Sequence, residues 1–137
     1  MRNTARTIIS VAGTVLMLAG LMASPVTHAS GKAPSGSVCG NKETPPADAI
    51  TQGGCLSIDN KKGNCLACHR IEGGDLPGNI APPLISMKAR YPDKAKLRAQ
   101  VWDSTVANPS TSMPPFGRHR ILSEDEIDKI VEFLLTL

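Results

Sequence analysis

Aromatic side chains make up only 3% of this 137-residue chain, one tyrosine, one tryptophan and two phenylalanines. So thin a stock of large rings supplies a protein-only core poorly and predicts that something besides side chains fills the centre. Strand signals are missing too. No stretch alternates apolar and polar residues and no internal repeat recurs, which excludes β-sandwiches, barrels and solenoids. Nor is there a marked excess of basic charge. The formal net charge is +3; if residues 1–29 are removed, two of the fifteen basic residues go, all twelve acidic ones stay and +1 is left. That balance excludes a basic patch for nucleic acid or anionic lipid. The length leaves no room for a second core of ordinary size.

What is present starts with a leader. Arg2 and Arg6 precede an apolar run from Ile8 to about Ala23, followed by Pro25 and the small residues Thr27 and Ala29. This pattern predicts a signal peptide over 1–29, cut after Ala29, and a mature protein in the periplasm. The alternative is an uncleaved anchor, against which stand the shortness of the run and Pro25. The arginines are not adjacent, so nothing marks the twin-arginine route. Export puts Cys39, Cys55, Cys65 and Cys68 in an oxidising compartment, where an even count invites a disulfide.

Residues 30–46 (SGKAPSGSVCGNKETPP) are rich in Ser, Gly and Pro and read as a flexible, extended arm. A single domain is expected over 47–137. A first helix is predicted from Ala47 or Asp48 to Asp59, although Gly53 and Gly54 weaken it unless it packs against something. Glycines and prolines from Gly63 to Pro83 forbid a long helix. A short one is expected over Leu84–Arg90, another over Pro92–Ala107, then a proline-stiffened loop to Arg120. The last helix is the clearest, with Ser123 and Glu126 spaced as a capping box and Ile127, Ile130, Val131 and Leu134 forming an apolar stripe. The expected class is all-α with long loops.

The chemistry centres on Cys65-Leu66-Ala67-Cys68-His69, the C-x-x-C-H pattern of covalent haem attachment. Two thiols a helical turn apart can add across the vinyl groups of one porphyrin edge, and the next imidazole then faces the iron. A thioredoxin-type redox pair would need a strand inside an alternating β/α chain. A zinc site would need more ligands than His119, the second histidine of the mature chain, can supply. A disulfide does not account for the histidine that follows at once. One covalent haem c is therefore expected, held by Cys65, Cys68 and His69.

Met87, Met113 and His119 are the candidates for a second axial ligand. Met113 is favoured because Pro114 and Pro115 stiffen the backbone just after it. Met87 reads otherwise as a core methionine, and His119 as an exposed histidine in a polar turn. Cys39 and Cys55 are left over. A bridge between them would tie the arm to the first helix and contribute about 3 kcal/mol in the chain-entropy model. Two free thiols, or an intermolecular bond through Cys39, stay open.

The stretch from about Ala47 to Leu137 resembles SoxX, the small monohaem cytochrome subunit of the Sox sulfur-oxidation system. The residues that carry the resemblance are Gly63 to His69, the run from Met113 to Leu122 (MPPFGRHRIL), and the ending from Glu126 to Leu137 (EIDKIVEFLLTL). The resemblance implies a class I cytochrome c fold with His69 and Met113 as axial ligands. It also implies a loop of the form G-P-x-L supporting the proximal histidine, here Ala81-Pro82-Pro83-Leu84, with alanine for the usual glycine. The Pro82 carbonyl would then accept a hydrogen bond from His69, and Gly53 would mark the crossing of the first and last helices, admitting Phe133 or a neighbour.

For function the resemblance implies a heterodimer with a SoxA-type cytochrome subunit, which together act as an L-cysteine S-thiosulfotransferase. Thiosulfate is joined oxidatively to a cysteine of a SoxYZ-type carrier protein. This chain would be the non-catalytic subunit that accepts the electrons and passes them to a downstream cytochrome acceptor. No substrate site of its own is visible. A free-standing soluble periplasmic shuttle would use the same chemistry without a stable partner. A thiol oxidoreductase using Cys65 and Cys68 is the reading from another class. Arg90, Arg118 and Arg120 are candidates to neutralise a haem propionate.

Overall fold

The computed structural model describes residues 31–137, so the leader expected over 1–29 and Ser30 lie outside the described residues. Among the described residues five helices are present: α1 Gly36–Cys39, α2 Ala49–Ile58, α3 Met87–Arg90, α4 Lys94–Trp102 and α5 Glu124–Leu134. Short 3-10 turns occupy Cys65–Ala67 and Ser104–Val106. No strand occurs among the described residues, and no helix among them is long and apolar enough to cross a membrane.

α5 is the core element. Its capping box closes both ways, Glu126 N–H donating to Ser123 Oγ at 3.2 Å and Ser123 N–H to Glu126 Oε2 at 2.9 Å. These bonds satisfy two of the backbone donors a helix start leaves orphaned. The apolar stripe then buries Ile127, Ile130, Val131, Phe133 and Leu134. α2, capped by Asp48 accepting from Thr51 N–H at 2.8 Å, crosses α5 at two glycines. A Cβ on Gly53 would lie 1.9 Å from the Lys129 carbonyl oxygen, and one on Gly54 would lie 3.1 Å from the Phe133 ring. Gly53 therefore marks the crossing as expected, but it meets backbone, and Gly54 is the glycine that admits Phe133. Only the absence of two side chains lets the helices come this close, which is why residues that weaken α2 locally are needed for its packing.

α4 is capped by Asp93, which accepts from Ala95 N–H at 2.8 Å. Its outer face is laced to α5 by ion pairs: Lys94 with Glu132, and Arg98 with Asp128 at 2.5 Å and with Glu124 at 3.0 Å. The helix ends sooner than the periodicity of 92–107 suggests. Asp103 takes an extended conformation (φ −153°, ψ 91°) and its side chain accepts from Thr105 N–H, so a separate 3-10 turn follows. α3 starts later than Leu84 because Ser86 sits in the left-handed region at φ 50°.

Residues 31–46 are more ordered than an extended arm. Gly36–Cys39 form a helical turn, Ala33 is buried, its N–H donates to Glu72 O at 2.7 Å, and the Pro34 ring packs on Gly54. A disulfide joins Cys39 to Cys55, with 5.3 Å between the Cα atoms, so the segment is pinned to α2.

Candidate functional site

Between α2 and α3 the chain has almost no regular structure, yet its backbone is laced. Leu66, Cys68 and Arg70 carbonyls accept from the N–H groups of Gly78, Ala81 and Leu84 at 2.7, 3.1 and 2.9 Å. This lacing brings residues 78–84 alongside the C-x-x-C-H turn. Gly78 is there by necessity, since a Cβ would lie 2.2 Å from the Ala67 carbonyl oxygen. Ile71, 1% exposed, anchors the strap in the core.

Within it, Asn64 takes a left-handed conformation (φ 47°) and starts the 3-10 turn that carries Cys65. Cys68 N–H and His69 N–H both donate to Cys65 O, at 3.2 and 2.8 Å. Cys65 and Cys68 are free thiols, both partly buried. Burial pushes the Cys65 thiol up to about 11, against a partly opposing hydrogen bond with the Ser57 hydroxyl. Gly63 leaves room for that sulfur, because a Cβ there would lie 3.3 Å from Cys65 Sγ and 2.8 Å from Leu56 O.

His69 Nδ1 lies 2.6 Å from the Pro82 carbonyl oxygen. A carbonyl can only accept, so Nδ1 donates, and in the neutral ring Nε2 is then the nitrogen with the lone pair. Leu84, two residues on, is 9% exposed and packs in the core.

Met113 is half-buried and packs against the core. Ser104 Oγ donates to its carbonyl at 2.9 Å, and its own N–H donates to Thr111 Oγ1 at 3.2 Å. The loop continues through buried Phe116 to Gly117, whose N–H donates to Trp102 O at 3.0 Å, and whose missing side chain makes way for the Trp102 ring. Met87 is 2% exposed, its sulfur accepting from Arg90 Nη1 at 3.4 Å, so it is a core methionine. His119 is exposed.

Two of the three arginines are already committed. Arg118 pairs with Asp103 at 3.1 Å, and Arg90 donates to Pro83 O at 2.9 Å. The Thr105 hydroxyl first, then its N–H and Arg118, hold the Asp103 carboxyl below its usual range against the opposing effect of burial. Sequence reasoning missed Ser104, Thr111, Asp103 and Ser57. Their signal is weak, since small hydroxyl residues recur throughout the chain and the bonds they make span loops.

The residues present fit a covalently held haem. Two unpaired thiols and an imidazole with Nε2 free share one turn, and large apolar side chains stand exposed in the flanking loops: Leu76 at 98%, Ile80 at 77%, Ile85 at 55% and Val106 at 82%. Exposed apolar side chains in these loops are what an apolar group bound there could cover. A zinc site fits less well, because no group of three His, Cys, Asp or Glu side chains is disposed around a common metal position among the described residues.

Comparison with known proteins agrees. The family model described as cytochrome c matches residues 60–137. A protein described as an uncharacterized lipoprotein of Aquifex aeolicus (strain VF5) is 33% identical over 76 residues, 55% of this chain and 37% of that protein. The chain thus spans well under half the length of that relative. A chain in the crystal structure of SoxXA from P. pantotrophus matches with a TM-score of 0.56 and 30% identity, over 61% of this chain and 77% of that one.

Proposed function

Because the chain belongs to the cytochrome c family, carries haem c and is SoxX-like, we propose that it is the electron-transfer subunit of a periplasmic SoxAX-type complex. In this reading Cys65 and Cys68 would hold the haem through thioethers, and His69 and Met113 would ligate its iron. The observation that supports the ligation is the 2.6 Å approach of His69 Nδ1 to the Pro82 carbonyl oxygen, which would fix the tautomer that leaves Nε2 for the iron.

Bound haem supplies a one-electron iron couple, which Met ligation places at a higher potential than two histidines would. The chain's own residues hold the geometry. The Pro82 carbonyl raises the basicity of Nε2, and the laced strap keeps the imidazole in register. Pro114 and Pro115 restrict the backbone beside the Met113 sulfur, which would help hold it as a ligand to a bound iron. Arg120 is the remaining arginine for a propionate.

The partner in this reading is a SoxA-type cytochrome, supported by the likeness to a chain of SoxXA from P. pantotrophus. Electrons released when thiosulfate is joined to a SoxYZ-type carrier cysteine pass to this chain and on to a downstream cytochrome. Export, with residues 1–29 removed, is the matching location. A lipoprotein relative supports it.

The test combines spectroscopy and hydrodynamics. Met113→Ala is expected to abolish the far-red band of ferric Met-ligated haem while the covalent haem remains, and native extract should yield the chain in complex with a second haem protein. Elution only as a monomer would remove the SoxA-type partner and leave a free shuttle. An intact mass of the purified protein reports leader removal.

A further inference from the structure

We propose that Ser104 and Thr111 are positioning residues that clamp the Met113 backbone from both sides and so hold its sulfur in place; the inference rests on Met113 being an axial ligand. Loops are ordinarily held by backbone pairing, but Pro114 and Pro115 have no N–H to give. At Pro114 and Pro115 themselves no main-chain donor is available, and the nearest backbone bonds to residues 102–104 come only at Gly117 and Arg118. Side-chain hydroxyls take over. Ser104 Oγ donates to the Met113 carbonyl at 2.9 Å, and Thr111 Oγ1 accepts from the Met113 N–H at 3.2 Å.

The anchor on the Ser104 side is itself rigid. Ser104 is fully buried at 0% exposure, and its carbonyl accepts from Asn108 N–H at 3.0 Å. Its neighbour Asp103, 8% exposed, accepts from the Thr105 N–H at 3.0 Å and also from the Thr105 hydroxyl, and it pairs with Arg118 at 3.1 Å. Gly117 N–H meets Trp102 O at 3.0 Å. Residues 102–105 thus form a bracket that holds the loop at Met113, Gly117 and Arg118. A ligand thioether is neutral and binds iron weakly compared with imidazole, so its retention depends on how well the protein presents it.

The test measures how readily imidazole displaces the methionine from the ferric holoprotein. Ser104→Ala and Thr111→Val should each tighten imidazole binding by about fivefold, the worth of one part-buried hydrogen bond of about 1 kcal/mol. Thr111→Ser, which keeps the hydroxyl, should stay at the wild-type value. Met113→Ala is run alongside. If it keeps the far-red band, the ligand assignment fails and the clamp with it. If it loses the band but Ser104→Ala and Thr111→Val bind imidazole as wild type does, ligation stands and the clamp is overturned. Should Ser104→Ala fail to fold, Thr111→Val against Thr111→Ser decides alone: equal affinities overturn the proposal.

Discussion

Replacing Gly53 by alanine sets two opposed effects against each other, and the structure says which wins. Within α2, Gly→Ala should stabilise by about 1 kcal/mol on propensity alone. At the crossing with α5, the new Cβ would sit 1.9 Å from the Lys129 carbonyl oxygen and 2.4 Å from its carbon, about 1.5 Å inside the 3.4 Å of ordinary contact. These are backbone atoms and cannot swing aside. The helices must separate, which also loosens the Phe133 ring from Gly54. Overpacking of this kind costs about 3 kcal/mol, so the net loss is about 2 kcal/mol. For a domain of this size that lowers Tm by roughly 8–16 °C. The assay is a thermal melt of the holoprotein followed by far-UV circular dichroism. Gly36→Ala is the control, since a Cβ there meets nothing within 4 Å. A Gly53→Ala melt equal to or above wild type, with haem attached, would refute the close crossing.

Other perturbations follow from the same geometry. Cys39→Ser with Cys55→Ser opens a loop with a sequence separation of 16 and should cost about 3 kcal/mol in denaturant unfolding. Lys62 and the Ser123 N–H hold the Glu126 carboxyl below its usual value, so its stabilisation is full above the unfolded pKa of about 4.3 and is lost as pH falls through the lower folded value. Lys62→Gln should therefore flatten the acid dependence of stability below about pH 4, measured by urea unfolding at stepped pH; an unchanged profile would show that the pair contributes nothing. Gly117→Ala would place a Cβ 2.1 Å from Trp102 Cε3, so the ring must turn, and near-UV circular dichroism of Trp102 should change. A wild-type spectrum from that variant would contradict the contact.

The elements that announce themselves in sequence do so through local physics. The capping box at Ser123 and Glu126, the apolar stripe of α5, the C-x-x-C-H turn and the prolines after Met113 each concern residues within a turn or two of one another. What stays hidden is non-local. No periodicity separates Asp103, which ends α4, from its helical neighbours: its side chain turns to cap Thr105, and its pairing with Arg118 lies far along the chain. The helical turn at Gly36–Cys39 reads as open arm, since its order comes from the disulfide to Cys55 and from Ala33 meeting Glu72. Ser86 in the left-handed region gives no warning at all. Gly53 is legible as a crossing glycine only through a family resemblance, and its division of labour with Gly54 needs coordinates.

The strap beside His69 is held through main-chain bonds at Gly78, Ala81 and Leu84, whereas Met113 itself is held by the hydroxyls of two particular side chains. Genetic drift would treat the two halves of the molecule unequally. Outside Gly78 and proline, most exchanges along the strap keep every bond that matters, so that half can diverge widely while its shape survives. At the Met113 loop, under the proposed clamp, a single nucleotide change converting Ser104 or Thr111 removes a support outright, so sequence change there would act in one step.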